Sequence, residues 1–115
     1  MSIETLQTLE VIEVMENFID RKRPAEKIRH QVDLSYKIID QSIEVFEIRP
    51  RPNRLEEKME CKIAKATFLK TKNYWKVFWW RSDMNWHSYK PNPTTQTLSQ
   101  FIQLIEKDEL GCFWG

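Results

Sequence analysis

Only two glycines, Gly111 and Gly115, occur in 115 residues. A phosphate-cradling loop needs glycines where backbone amides must close on an anion, so the chain has none. Cysteine is equally sparse: Cys61 and Cys112 have no neighbour at metal-ligand spacing, and with His30 and His87 they form no zinc pattern. No apolar run approaches the roughly 20 residues that span a bilayer. The first residues, MSIETLQTLEV, lack both the basic start and the continuous apolar stretch of a secretory signal. These absences point to a cytoplasmic protein with reduced thiols and without membrane, metal or cofactor. Paired carboxylates of the glycosidase kind are missing too, since Glu56, Glu57 and Glu60 read as a solvated cluster in a loop.

The length suits one domain, residues 1–115, with a single core. With 41% hydrophobic and 30% charged residues, the chain is an ordinary globular one. Its net charge of +1 conceals an asymmetry. Residues 1–20 carry five acids (Glu4, Glu10, Glu13, Glu16, Asp20) and no base, whereas residues 62–90 carry seven bases against Asp83 alone. Either the two regions neutralise each other, or a basic surface meets an anionic partner.

Apolar residues three or four apart (Leu6, Leu9, Ile12, Met15, Ile19, widened by Val11 and Phe18) predict a helix from about Glu4 to Lys22, stopped by Pro24. From Ile28 the period changes to two, which predicts a strand to Ile38, a turn at Asp40-Gln41 and a second strand from Ser42 to Arg49. With Ile39 facing Ser42, Lys37 lies opposite Glu44. Glu47 and Arg49 then share the apolar row of Leu34, Tyr36, Ile43 and Val45, where they must pair with each other or a ligand, or be turned aside by a bulge. Asn53–Glu60 reads as a mobile charged loop. Further strands are expected at Lys62–Lys70, Tyr74–Arg81 and Trp86–Tyr89, and a helix near Thr97 opens with a T-x-x-Q capping box, Thr97 with Gln100. The tail Gly111-Cys112-Phe113-Trp114-Gly115 is apolar enough to tuck against the body. The expected fold is α+β: an N-terminal helix, a five-stranded antiparallel meander and a C-terminal helix, stacked as a two-layer sandwich.

Seven aromatic side chains fall between Tyr74 and Tyr89, interleaved with bases. A three-residue TKN turn pairs Lys70 with Tyr74, which sets Ala66 against Phe78 and Ala64 against Trp80 as a packed layer with His87 and Tyr89. The opposite face then carries Lys65, Trp75, Trp79, Arg81 and Trp86, with no helix left to cover it.

The segments Phe46-Glu47-Ile48-Arg49-Pro50-Arg51, Ile63-Ala64-Lys65-Ala66, Trp75-Lys76-Val77-Phe78-Trp79-Trp80-Arg81, Trp86-His87 with Tyr89, and the closing Gly111-Cys112-Phe113-Trp114-Gly115 together resemble a family of small bacterial domains of unknown function. The likeness covers nearly the whole chain, with Asp40 and Met84 standing where the family pattern has turn glycines. It implies a bacterial, cytoplasmic, stand-alone domain and supplies no activity, substrate or cofactor. It also singles out Glu47, Arg49, Lys65, Arg81, His87 and Cys112 as shared positions.

The functional expectation is a non-catalytic binding module. Lys65, Trp75, Trp79, Arg81 and Trp86 would hold an anionic ligand such as single-stranded nucleic acid, with Arg49, Arg51 and Arg54 extending the track. One alternative is a homodimer or other protein interaction through the same face. Another is a small enzyme with Cys112 as nucleophile, His87 as base and Glu47 orienting it.

Overall fold

The computed structural model describes residues 5–114. Its elements run α1 (Thr5–Lys22), β1 (Asp33–Ile39), β2 (Ser42–Arg51), β3 (Arg54–Leu69), β4 (Tyr74–Trp80), β5 (Trp86–Ser88), β6 (Thr94–Thr95) and α2 (Leu98–Lys107). The sheet is antiparallel in the order β1-β2-β3-β4-β5, and the short β6 joins the same edge of β4 further along. This is the expected α+β fold of helix, sheet and helix, with one extra strand.

In α1 the buried stripe is Val11, Met15 and Phe18, each no more than 2% exposed. Spacings of four and three put them on one face. Leu9 and Ile12, expected in the stripe, sit on its margin and stay exposed. The expected start at Glu4 and the Leu6 side chain lie outside the described residues. The helix ends at Lys22, before Pro24. Strand β1 begins only at Asp33, because residues 26–28 wind into a 3-10 turn instead of extending.

The β1–β2 register is the expected one, with Ile39 opposite Ser42 and Lys37 opposite Glu44. Of the stretch expected to be a mobile loop, Asn53–Glu60, all but Asn53 is instead the first part of a 16-residue β3 paired back on β2. Pro50 and Asn53 do not break this hairpin: proline occupies a ladder position facing Lys58, and the register slips between Pro50 and Arg51 at the tip. The result is a two-stranded arm, in a molecule 44 Å along its longest axis.

Helix α2 opens with the expected capping box: the Thr97 hydroxyl accepts from the Gln100 amide at 3.1 Å, and the Gln100 side chain accepts from the Thr97 amide at 3.3 Å. It buries Leu98, Phe101, Ile102 and Ile105. At its end Asp108 adopts the left-handed conformation, and its carboxylate accepts from the amides of Phe113 and Trp114. That folds the tail back, burying Phe113 beside Tyr89 and letting the Trp114 indole donate to the Ile105 carbonyl at 2.7 Å. Asp40 and Met84 both have positive φ, 53° and 66°. Both backbones take the left-handed conformation that glycine adopts without steric cost.

Both helices pack on one face of the sheet. There Leu34, Ile43, Val45, Ala64, Ala66, Trp75, Val77 and Tyr89 meet Met15, Phe18, Phe101 and Ile105 in a continuous core.

Candidate nucleic-acid interface

The turn between β3 and β4 decides which aromatic rings face the helices. Leu69, not Lys70, pairs with Tyr74, so the loop holds four residues instead of three. Asn73 closes it in the left-handed region, φ 55°, where asparagine is among the least penalised residues, and its amide donates to the Leu69 carbonyl at 2.7 Å. A one-residue slip exchanges the faces of an entire strand. Ala64 therefore faces Trp79 and Ala66 faces Val77, with small residues opposite large ones as expected but with different partners. The β4–β5 ladder is displaced too, pairing Trp80 with Trp86 and Trp79 with His87.

This corrects the expected face assignment. Trp75 is on the helix side and 4% exposed. Trp79 is also on that side, packed at the core margin, with the Arg81 guanidinium 5.1 Å from its ring centre. His87 and Tyr89 lie on the helix side as expected. Of the expected binding set, Lys65 and Trp86 remain on the uncovered face. Arg49 is not there: it shares a row with Glu47 and binds it at 3.1 Å, which resolves the charged pair on that apolar row. Arg51 and Arg54 sit at the arm's tip, both engaged with Glu57.

The face turned away from the helices presents Phe78, Trp80 and Trp86 among Lys37, Lys62, Lys65 and Lys76, while Phe46, 6% exposed, is buried beneath Lys37. A bulge at Ile63 brings Lys62 into this group: Val45 pairs with Ala64 but Phe46 with Lys62, so Lys62 and Lys65 point the same way although three residues apart. Trp80 and Trp86 meet edge to face, 5.1 Å between ring centres. The Lys62 ammonium lies 5.5 Å from Trp80 and 6.0 Å from Trp86, and that of Lys65 lies 4.8 Å from Phe78 and 5.2 Å from Trp86. Lys37 is 5.2 Å from Phe46. Cation–π contacts of this kind contribute about 0.5–1 kcal/mol each when exposed.

Two carboxylates partly balance this face. Glu44, the one nearly buried acid in the sheet, holds Lys62 at 3.1 Å, and Glu60 holds Lys37 at 2.6 Å. Lys37 is raised above its ordinary pKa by its hydrogen bond to Glu60. Lys65 has no such bond and is lowered, chiefly by desolvation against the rings. The nearby Glu44 carboxylate partly offsets that desolvation. The acids of α1 do not supply these counter-charges; Glu16, for example, accepts from the Tyr36 hydroxyl at 2.7 Å on the helix side. Burial, and then that bond, push the Tyr36 phenol up to about 12.

Sequence reasoning missed Phe78, Trp80, Lys62, Lys37 and Lys76. The available signal was Asn73, whose tolerance of positive φ favours ending the turn on it.

The residues of the alternative enzymatic reading are divided. Cys112, His87 and Arg81 line one cavity of about 290 Å3 with Trp79, Tyr89 and Lys90. Glu47 lines another, of about 250 Å3, with Asp33 and Glu106. The carboxylate on His87 is that of Asp83, at 2.7 Å, and His87 draws the Asp83 pKa below the usual carboxylate value. Both cysteines are free and half-buried. Among the described residues no three His, Cys, Asp or Glu side chains converge as a metal site, and no helix is long and apolar enough to cross a membrane.

No curated protein and no solved structure matches the chain significantly. The profile of a domain of unknown function, DUF3024, matches residues 3–115, and the chain belongs to that family.

Proposed function

We propose that the protein is a bacterial, cytoplasmic binding module whose uncovered sheet face takes single-stranded nucleic acid. The observation that supports this most directly is the set of three half-buried rings, Phe78, Trp80 and Trp86, standing among four lysines on a face without a helix. Unpaired bases stack on such rings whatever their identity, at about 1–3 kcal/mol per base, while lysines follow the phosphates. The T-shaped Trp80–Trp86 pair and Phe78 form the platform, with Lys62 and Lys65 at its centre. The four lysines against Glu44 and Glu60 leave the face net positive although the molecule as a whole is nearly neutral.

The test is fluorescence anisotropy of labelled oligonucleotides at several salt concentrations. Three or four phosphate contacts predict a log–log salt slope of about −2 to −3. Trp80→Ala is expected to weaken binding by about tenfold or more, from the loss of one stacked base. Trp75→Phe, inside the core, is expected to leave affinity unchanged. Binding undiminished in Trp80→Ala and Lys65→Ala alike would falsify the assignment.

A further inference from the structure

Strand β3 is 16 residues long, yet β4 pairs only with its last six, Ala64–Leu69. From Arg54 to Ile63, β3 has β2 on one side and, among the described residues, no ladder partner on the other. An open edge of ten residues without proline is long for a native protein. Such edges are usually kept short, covered or bulged away, because unpaired amides and carbonyls recruit another strand.

The side chains along this edge specify which strand. We propose that a second copy of this chain pairs with it, antiparallel, about a two-fold axis through Met59. In that register Lys58 faces Glu60 and Glu56 faces Lys62, each pair occurring twice, and Leu55, 71% exposed in the single chain, comes alongside Ile63. Opposite charges directly across a ladder stabilise it and like charges destabilise it. Moving the axis one residue either way sets Glu56 against Glu60, or Lys58 against Lys62. The edge therefore favours one register over its neighbours. The charges already held within the chain do not prevent this. Glu60 binds Lys37 through one oxygen and keeps the other, and Lys58 reaches only a backbone carbonyl, that of His30. A two-fold axis perpendicular to the sheet leaves both uncovered faces on the same side of one continuous sheet.

Sedimentation or light scattering of the full chain from about 10 μM to about 1 mM, at low salt and without nucleic acid, tests this independently of the function proposed above. The wild type is expected to move from monomer to dimer. Lys58→Glu turns two attractive pairs repulsive and is expected to raise the dissociation constant about tenfold. Adding Glu60→Lys to it exchanges the two charges and is expected to restore the wild-type constant, which a variant that merely misfolds does not do. A monomer throughout, a Lys58→Glu protein that dimerises as well as wild type, or a double variant that fails to recover overturns the proposal. So does a dimer abolished by Trp80→Ala but indifferent to Lys58→Glu, because that interface would be the aromatic face.

Discussion

The two faces of the sheet solve the same problem differently. On the helix side small or branched strand residues (Val45, Ala64, Ala66, Val77, all fully buried) lie at the centre with Trp75 beside them, and Met15, Phe18, Phe101 and Ile105 cover them from above. On the other side the strands supply the bulk themselves, and the layer above is only lysine. The aliphatic stems and ammonium groups of Lys62 and Lys65 shield Phe78, Trp80 and Trp86 without sealing them. A helix lid is held by dispersion and the hydrophobic effect and cannot leave without unfolding. A lysine lid is held by contacts of the order of thermal energy and can swing toward a ligand. The first face is therefore the main source of stability, and the second is left accessible to solvent.

The largest effect that would test this contrast is Phe101→Ala. Phe101 is fully buried under the helix, and its truncation is expected to cost about 3–5 kcal/mol in denaturant unfolding. Trp80→Ala on the lysine side is expected to cost less than half of that, and equal losses would erase the distinction. An intermediate effect probes the margin between helix and sheet, where Arg23 grips Asp33 through two bonds of 2.8 Å. The Asp33 carboxyl is held below its ordinary pKa, first by that hydrogen bond. Its folded pKa is thus depressed relative to the unfolded chain, and the stabilisation is complete above about pH 4 and lost as pH falls through the folded value. Arg23→Gln is expected to destabilise only slightly at pH 7, because Arg23 is exposed, and to flatten the acid limb of a stability–pH profile. The smallest effect is at Lys65. Desolvation lowers its pKa and so works against the two cation–π contacts that its charge makes. Lys65→Met, which keeps the stem, is expected to leave the melting temperature nearly unchanged while weakening oligonucleotide binding.

The elements of this fold were readable because each announces itself locally: the 3.6-residue stripe of α1, the Thr97–Gln100 box, the alternation of β1 and the closing of β2 on it. The arm was not, since Arg54–Glu60 has strand pairing without an apolar face, and alternation is only a signal of burial. The site was half legible. Composition located it between Tyr74 and Tyr89, but its facing depended on whether the turn after Leu69 has three or four residues. That single position moved Trp75, Trp79 and Arg81 to the helix side and brought Phe78 and Trp80 out. The bulge at Ile63, which aligns Lys62 with Lys65, depends on contacts between strands and leaves no trace in a single segment.

The edge-to-face pair of Trp80 and Trp86 also gives the molecule a built-in reporter. Two indoles held this close couple their electronic transitions, producing a split circular-dichroism band in the far ultraviolet that a lone tryptophan cannot give. A base sliding onto either ring perturbs that couplet and quenches the emission of the same indoles. The proposed occupancy of the lysine-covered side can therefore be tested optically, with no label attached to the protein.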